Sequence, residues 1–331
     1  MTKNAKLNNL QSLRAVACLS VVLFHLAGAL GGSGYQNFAN DFFLKIGASG
    51  VDIFFVISGF VMVYIQMNQK TKPLRFLQNR ILRIAPLYWV LTLTMALVLL
   101  IAPGAFRTNQ FGIDRFISSM MFSCGLALRK ETLIFPGWTI EFEFFFYLVF
   151  FFSLFFRKIL WSIGTATAVL SACVAFGYID SIALEFVFGM VVAAVYCSRT
   201  FPNSIYLVAA SFGSIWLVLT GVIEYGSIDR VLVWGAPSAF IVFGAAGLRQ
   251  SGRNFMTVLG DSSYSIYLAQ AFLIPSFLKL SNRAWVGAPY EVLIVSGFTF
   301  VTVFGFLCYQ FLEMRLALFA TKAIGRSAAI A

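Results

Sequence analysis

One arginine and the only histidine of the chain lie in the stretch RAVACLSVVLFHL, eleven positions apart among mostly apolar residues. Eleven residues is close to three helical turns, so Arg14 and His25 share a helix face, roughly 16 Å apart along its axis. Imidazole accepts and returns a proton near neutral pH or attacks as a nucleophile, and guanidinium forks suit phosphate. An ionisable side chain at membrane depth costs at least about 2.5 kcal/mol on insertion scales, so each one is a functional candidate. Arginine near a helix end also snorkels to the interface as a plain anchor. The shared face favours function for this pair.

Other residues stand out for the same reason. Asp52, in GVDIFFVISGF, sits early in a helix, where the dipole alone favours a carboxylate. Ser58 and Gly59 close that motif and either let helices approach or line a substrate path. Arg80 and Arg83, in RFLQNRILRIAPLYW, fall at i and i+3 on one face. Such a pair, at the cytoplasmic end of the third span, is ordinary positive-inside charge or a grip for a cytosolic phosphate-bearing donor; Lys70, Lys72 and Arg75 are read as ordinary positive-inside charge. In PGWTIEFEFFFYL, Trp138 begins the segment, and Tyr147 follows Glu143 by one turn on the same face. Glu143 is hemmed in by phenylalanines, whereas Glu141 is read as interfacial and solvated. Glu185, Glu313 and Arg315 are read as structural partners for other helices.

These side chains need a membrane bundle to hold them. The chain is 60% hydrophobic and 11% charged, with 38 phenylalanines among 331 residues. An average soluble domain carries roughly 25% charged residues, so this composition reads as an integral membrane protein. Apolar runs of helical span length recur throughout and predict an all-α polytopic bundle of about ten transmembrane helices, over 8–30, 42–66, 83–102, 138–156, 159–177, 182–198, 203–222, 230–248, 258–280 and 290–318. One membrane domain covers 1–331, with no soluble domain. The net charge of +11 gathers at the ends of apolar runs, where it sets topology and meets anionic lipid rather than nucleic acid. The five cysteines lie in apolar stretches without a CxxC pair, which indicates neither a metal site nor a disulfide framework. The first run resembles a signal peptide, but its length, its Arg14 and His25, and the spans that follow favour a retained helix.

The segment 113–128 is short and polar, so it reads as an eleventh span or as an interfacial or re-entrant piece. Charge decides. With ten spans and both termini cytoplasmic, the inside loops hold Lys70 to Arg83, Arg157, Lys158, Arg199, Arg249, Arg253, Lys322 and Arg326. The outside loops collect Asp180, Glu224 and Asp229, with Arg107, Arg115, Arg129, Lys130, Arg230 and Arg283 as exceptions.

The segments LQSLRAVACLSVVLFHL, GVDIFFVISGFVM, RILRIAPLYW, WTIEFEFFFYL, LGDSSYSIYLAQ and YQFLEMRL, in this order and spacing, resemble the transmembrane acyltransferase family 3, and within it the branch acting on exopolysaccharides. The resemblance covers nearly the whole chain. It implies transfer of an acyl group, usually acetyl from acetyl-CoA, to a hydroxyl of a surface or secreted glycan or its lipid-linked precursor, at the bacterial inner membrane. By position, Arg14 and His25 match the family's arginine–histidine pair, Arg80 and Arg83 its basic pair, and Trp138 and Glu143 its tryptophan-to-glutamate motif. The chain departs from the pattern at Gln270, where histidine is frequent, and near Arg315, where proline is usual; no catalytic role is assigned to either residue.

O-acyl transfer would use His25 as base or as acyl carrier, with Glu143 or Asp52 orienting the ring or binding sugar hydroxyls. Arg14, Arg80 and Arg83 would hold the donor's phosphates, and Trp138, Tyr147 and Ser58 would face the acceptor. The competing reading is a polytopic exporter of a glycan or lipid-linked sugar, which also needs buried charges.

Overall fold

The computed structural model describes residues 7–31, 38–106, 110–156, 158–223, 226–285 and 287–323. The loop charges Arg107, Arg157, Glu224 and Arg326 lie outside the described residues. Among the described residues every regular element is helical: α1 (Asn8–Gly31), α2 (Phe38–Ile46), α3 (Ser49–Gln69), α4 (Pro73–Ile101), α5 (Ile113–Met120), α6 (Cys124–Leu128), α7 (Gly137–Ser153), α8 (Ile159–Ala175), α9 (Leu184–Ser198), α10 (Asn203–Thr220), α11 (Ala236–Gly247), α12 (Phe255–Asp261), α13 (Ser263–Ala284), α14 (Tyr290–Cys308) and α15 (Met314–Ala323). Single π turns, Val231–Gly235 and Tyr309–Glu313, lead into α11 and join α14 to α15.

Among the described residues, six helical stretches are long and apolar enough to cross a membrane: Asn8–Gly31, Leu44–Gln69, Pro73–Ile101, Ser181–Ser198, Asn203–Thr220 and Tyr290–Ala320. Ile159–Ala175 and Val231–Gly247 are apolar but shorter. The remaining two expected spans are helical as well, in α7, which is strongly apolar but only 17 residues long, and in α13, whose serine- and tyrosine-rich start dilutes the apolar character.

Three boundaries differ from the sequence reading. Helix α4 begins at Pro73 rather than near Arg83, because proline is well suited to the first helical turn and the following LRFLQNR favours helix. Arg75, read as loop charge, is therefore helical, and Arg80 and Arg83 stand on helix as their spacing implied. The expected run 42–66 is broken by a turn at Gly47–Ala48, and 258–280 is broken at Ser262. Segment 113–128 forms α5 of 8 residues and α6 of 5, about 12 Å and 8 Å long, far short of a roughly 30 Å hydrocarbon layer.

The chain divides into two compact units, Met1–Pro73 with Leu148–Ser263 and Leu74–Tyr147 with Tyr264–Ala331. In the first, α3 crosses α9 at two facing glycines. A Cβ on Gly59 would strike the Phe186 carbonyl, and one on Gly189 the Val56 carbonyl, so the two backbones touch where small residues permit it. The start of α1 is moored by asparagines: Asn9 donates to the carbonyls of Ala245 and Arg249 at 3.2 Å each and accepts from the Ser251 N–H at 3.0 Å. Asn8 donates to the Ser251 carbonyl at 2.7 Å. Carbonyls left open at the end of α11 thereby find donors.

In the second unit, α4 and α13 run in the same direction. The Tyr264 hydroxyl at the start of α13 donates to the Ile84 carbonyl in the first half of α4 at 2.6 Å, and farther on along both helices Val98 shares the lining of a cavity of about 250 Å³ with Phe272, Pro275 and Ser276. The Trp89 indole donates to the Met120 carbonyl at 2.8 Å, which ties α5 to α4. Lys130 pairs with Asp114 in the first turn of α5 and holds its carboxyl below the usual carboxylate range.

Candidate active site

In the first unit α1 carries Arg14 and His25. The Arg14 guanidinium donates to the Ser263 hydroxyl at 3.2 Å, and the Cys18 thiol, one turn on, reaches the Ser263 carbonyl at 3.3 Å. Ser263 therefore sits against the arginine, while Gly260 in α12 packs directly on the Gln11 backbone. His25 is partly exposed, and the Phe24 ring meets its ring edge-on at 4.9 Å between centroids.

Asp52 is fully buried in the first turn of α3, and Arg230 holds both its oxygens, Nε at 3.0 Å and Nη2 at 2.7 Å. The same guanidinium lies over the Trp234 ring at 4.7 Å and donates to the Ala48 carbonyl at 3.4 Å. Glu185 is buried beside this pair, with neither oxygen in a well-aligned hydrogen bond. Gly235, at the end of the π turn, leaves room for it: a Cβ there would come within 2.9 Å of Glu185 Cγ. Ser58 is buried next to the glycine contact between α3 and α9.

In the second unit α4 and α7 bring three expected residues together. Tyr147 donates its hydroxyl to Glu143 one turn earlier. The Arg80 guanidinium lies 6.0 Å from the centroids of both the Tyr147 and Phe76 rings. Glu143 and Arg83 complete the charges around it. Arg83, one turn beyond Arg80, is exposed. The result is a cation flanked by aromatic rings and faced by a tyrosine–carboxylate pair, with a second cation open beside it. Trp138 begins the same helix and meets Phe142 edge-on at 5.9 Å.

Glu141 is not interfacial and solvated. It is 1% exposed, and its two oxygens each accept a 2.7 Å bond, from the N–H groups of Cys124 and Gly125. These are the orphan donors at the start of α6, whose dipole also favours a carboxylate. Helix α6 folds over a glutamate that sequence left at the surface. Glu313, read as structural, accepts from the Ser265 hydroxyl on α13. Arg230 is the residue that sequence reasoning undervalued. Its signal was present, since it is a positive charge in a loop assigned to the outside.

A family model described as an acyltransferase domain, that of acyltransferase family 3, matches residues 7–310, a stretch that includes residues of both units. The chain belongs to acyltransferase family 3. This membership, with the long apolar helices, makes it a multi-pass membrane protein and an acyl-transferring enzyme, and it decides against the exporter reading. The exopolysaccharide production protein ExoZ of Rhizobium meliloti (strain 1021) is 31% identical over 295 residues, covering 82% of this chain and 90% of that protein. No solved structure matches the chain.

Proposed function

We propose that this acyltransferase moves an acetyl group from cytosolic acetyl-CoA to a hydroxyl of a surface or secreted glycan, or of its lipid-linked precursor. It would do so in the bacterial inner membrane with both termini cytoplasmic. The observation that carries the reading is the likeness, over 90% of its length, to a protein named for exopolysaccharide production in a family of acyl-transferring enzymes.

In this reading Arg80 and the exposed Arg83 grip the donor's phosphates, because guanidinium forks match phosphate oxygens; Arg14, expected in the same role, belongs to the first unit. The Tyr147–Glu143 pair holds Arg80 in place and offers polar groups to the substrate. His25 takes the proton of the attacking hydroxyl. The hydroxyl oxygen bonds to the thioester carbon, the carbon–sulfur bond breaks, and the departing thiolate recovers the proton from the imidazolium. Asp52, its oxygens occupied by Arg230, acts by fixing that arginine. Trp138 and Ser58 border the acceptor.

Purified protein in lipid discs, given acetyl-labelled acetyl-CoA and the polysaccharide of the source cells, tests this. Label appearing in the glycan as an alkali-labile ester is the expected result. Donor consumption with no glycan label would overturn it.

A further inference from the structure

Gln270 is buried completely on α13, and neither its amide oxygen nor its amide nitrogen has a hydrogen-bond partner among the described residues. A primary amide brings two donors and two acceptor sites, so leaving both atoms unsatisfied in an apolar interior is unfavourable. On α14 the Thr302 hydroxyl is likewise buried without a partner among the described residues. The two lie at one level. Gly305 abuts the Ile266 backbone, and a short connection makes α13 and α14 antiparallel neighbours. Gln270 is four residues on from Ile266 and Thr302 three residues before Gly305, about 6 Å and 4.5 Å along their axes in the same direction.

The neighbouring polar groups on that side of α13 are already satisfied. Tyr267, one turn before Gln270, exchanges a 2.9 Å hydrogen bond with Thr139, which itself donates to the Pro136 carbonyl at 2.9 Å. On α4 the buried Tyr88 and Thr92 hydroxyls lack a well-aligned partner among the described residues, and on α13 and α14 the open capacity at this level is that of Gln270 and Thr302. Their depth is informative. Ile84, which accepts from Tyr264, is four residues past Arg80, and Gln270 is six past Tyr264, so the amide lies roughly 15 Å from the level of Arg80 along parallel helices. That is near half of a roughly 30 Å hydrocarbon layer, the depth at which a donor gripped at one face and an acceptor entering from the other would meet.

We propose that Gln270, with Thr302 beside it, is a hydroxyl-reading subsite for the sugar acceptor, which binds a hydroxyl adjacent to the one that is acylated. A hydroxyl both donates and accepts and so satisfies the amide oxygen and the amide nitrogen together, whereas a thioester carbonyl satisfies only the nitrogen. The subsite rests on the acyl-transfer reading above and names the acceptor group that the site recognises. Gln270 is a specificity residue in this account: it fixes which hydroxyl is presented and takes no part in bond making.

The test uses the purified protein in lipid discs, acetyl-labelled acetyl-CoA, and as acceptors the methyl glycosides of glucose and galactose with their mono-deoxy analogues. The wild-type protein is expected to transfer label to at least one parent glycoside and to lose about tenfold in kcat/KM when one non-reacting hydroxyl is removed. Gln270→Leu is expected to raise the parent's KM to that of the deoxy sugar, to treat the two alike, and to keep the wild-type KM for acetyl-CoA. Its melting temperature should hold or rise, because an unsatisfied buried amide is gone. Undiminished discrimination in Gln270→Leu, the result for a glutamine that meets only water, overturns the subsite, as does a change confined to the donor's KM. Thr302→Val supplies a milder second variant should Gln270→Leu fail to fold, with loss of the same discrimination expected and its retention counting against the subsite. Absence of transfer by the wild-type protein to any glycoside or to the source polysaccharide overturns the acyl-transfer reading itself.

Discussion

Arg230 grips both oxygens of Asp52, at 2.7 and 3.0 Å, from 178 residues away in the chain. Two carboxylates, Asp52 and Glu185, crowd that one guanidinium in the interior of the first unit. Breaking a buried ion pair from one side strands the other charge, whereas replacing both by apolar groups is often neutral. Arg230→Met is expected to cost about 2 to 3 kcal/mol, the lower figure reflecting its partial exposure. Asp52→Leu combined with Arg230→Met should recover most of the loss. Thermal melts of the single and double variants in detergent check this, and a double variant as weak as the sum of the singles would refute the pairing.

Where α3 and α9 touch, Gly189 has no space for a side chain, since a Cβ would reach the Val56 carbonyl and the Phe60 N–H. Gly189→Ala should destabilise the protein by about 1 to 3 kcal/mol through overpacking. Gly164, where nothing lies within 4 Å of an added Cβ, provides the control. Equal yields and melting temperatures for Gly189→Ala and Gly164→Ala would exclude a tight crossing.

His25→Ala is expected to abolish glycan acylation while the protein still accumulates in the membrane at wild-type levels. His25 is partly exposed, so its removal leaves little cavity. Acylation of the extracted polysaccharide, read by the mass of the acetyl group, checks the outcome. Wild-type acetyl content in the variant would remove imidazole from the reaction.

Arg83 is exposed beside Arg80 and is free to meet an anionic donor without disturbing the packing of α4. Arg83→Ala should raise the KM for acetyl-CoA about tenfold, the loss of one charge-assisted contact, and leave the acceptor's KM unchanged. Steady-state kinetics against each substrate separates the two, and an unaltered donor KM would contradict the assignment.

The Tyr147 hydroxyl donates to Glu143 while its ring lies beside Arg80. Tyr147→Phe keeps the ring and removes the donor, so the fold should persist and transfer should fall by about tenfold. Glu143→Gln should fall further, because it also removes the charge facing Arg80. Full activity in both variants would make the pair a packing feature alone.

How much of this site was legible beforehand differs residue by residue. The i and i+4 spacing of Glu143 and Tyr147 determines their meeting on one helix, because neighbours one turn apart are fixed by the helical repeat. The proximity of Arg80 to them depends on α4 packing beside α7, and α4 starts ten residues earlier than apolar content implied, which brings Arg75 onto the helix as well. Hydropathy marks where lipid tolerates the chain, and a helix continues past that point wherever propensity permits.

The sequence by itself determined an all-helical membrane chain, the helix stretches, the shared face of Arg14 and His25, and the motifs of an acyltransferase. All of these are local or compositional, set by a 1.5 Å rise and by the cost of charge in hydrocarbon. Tertiary structure alone decided that Arg230 belongs to Asp52, that Glu141 caps α6 from within, and that Gln270 is buried with its amide unsatisfied. Those facts depend on which distant helices meet and at what register. Close backbone crossings at Gly59 and Gly189, and at Gly305, set that register, and no periodicity within one helix reports it.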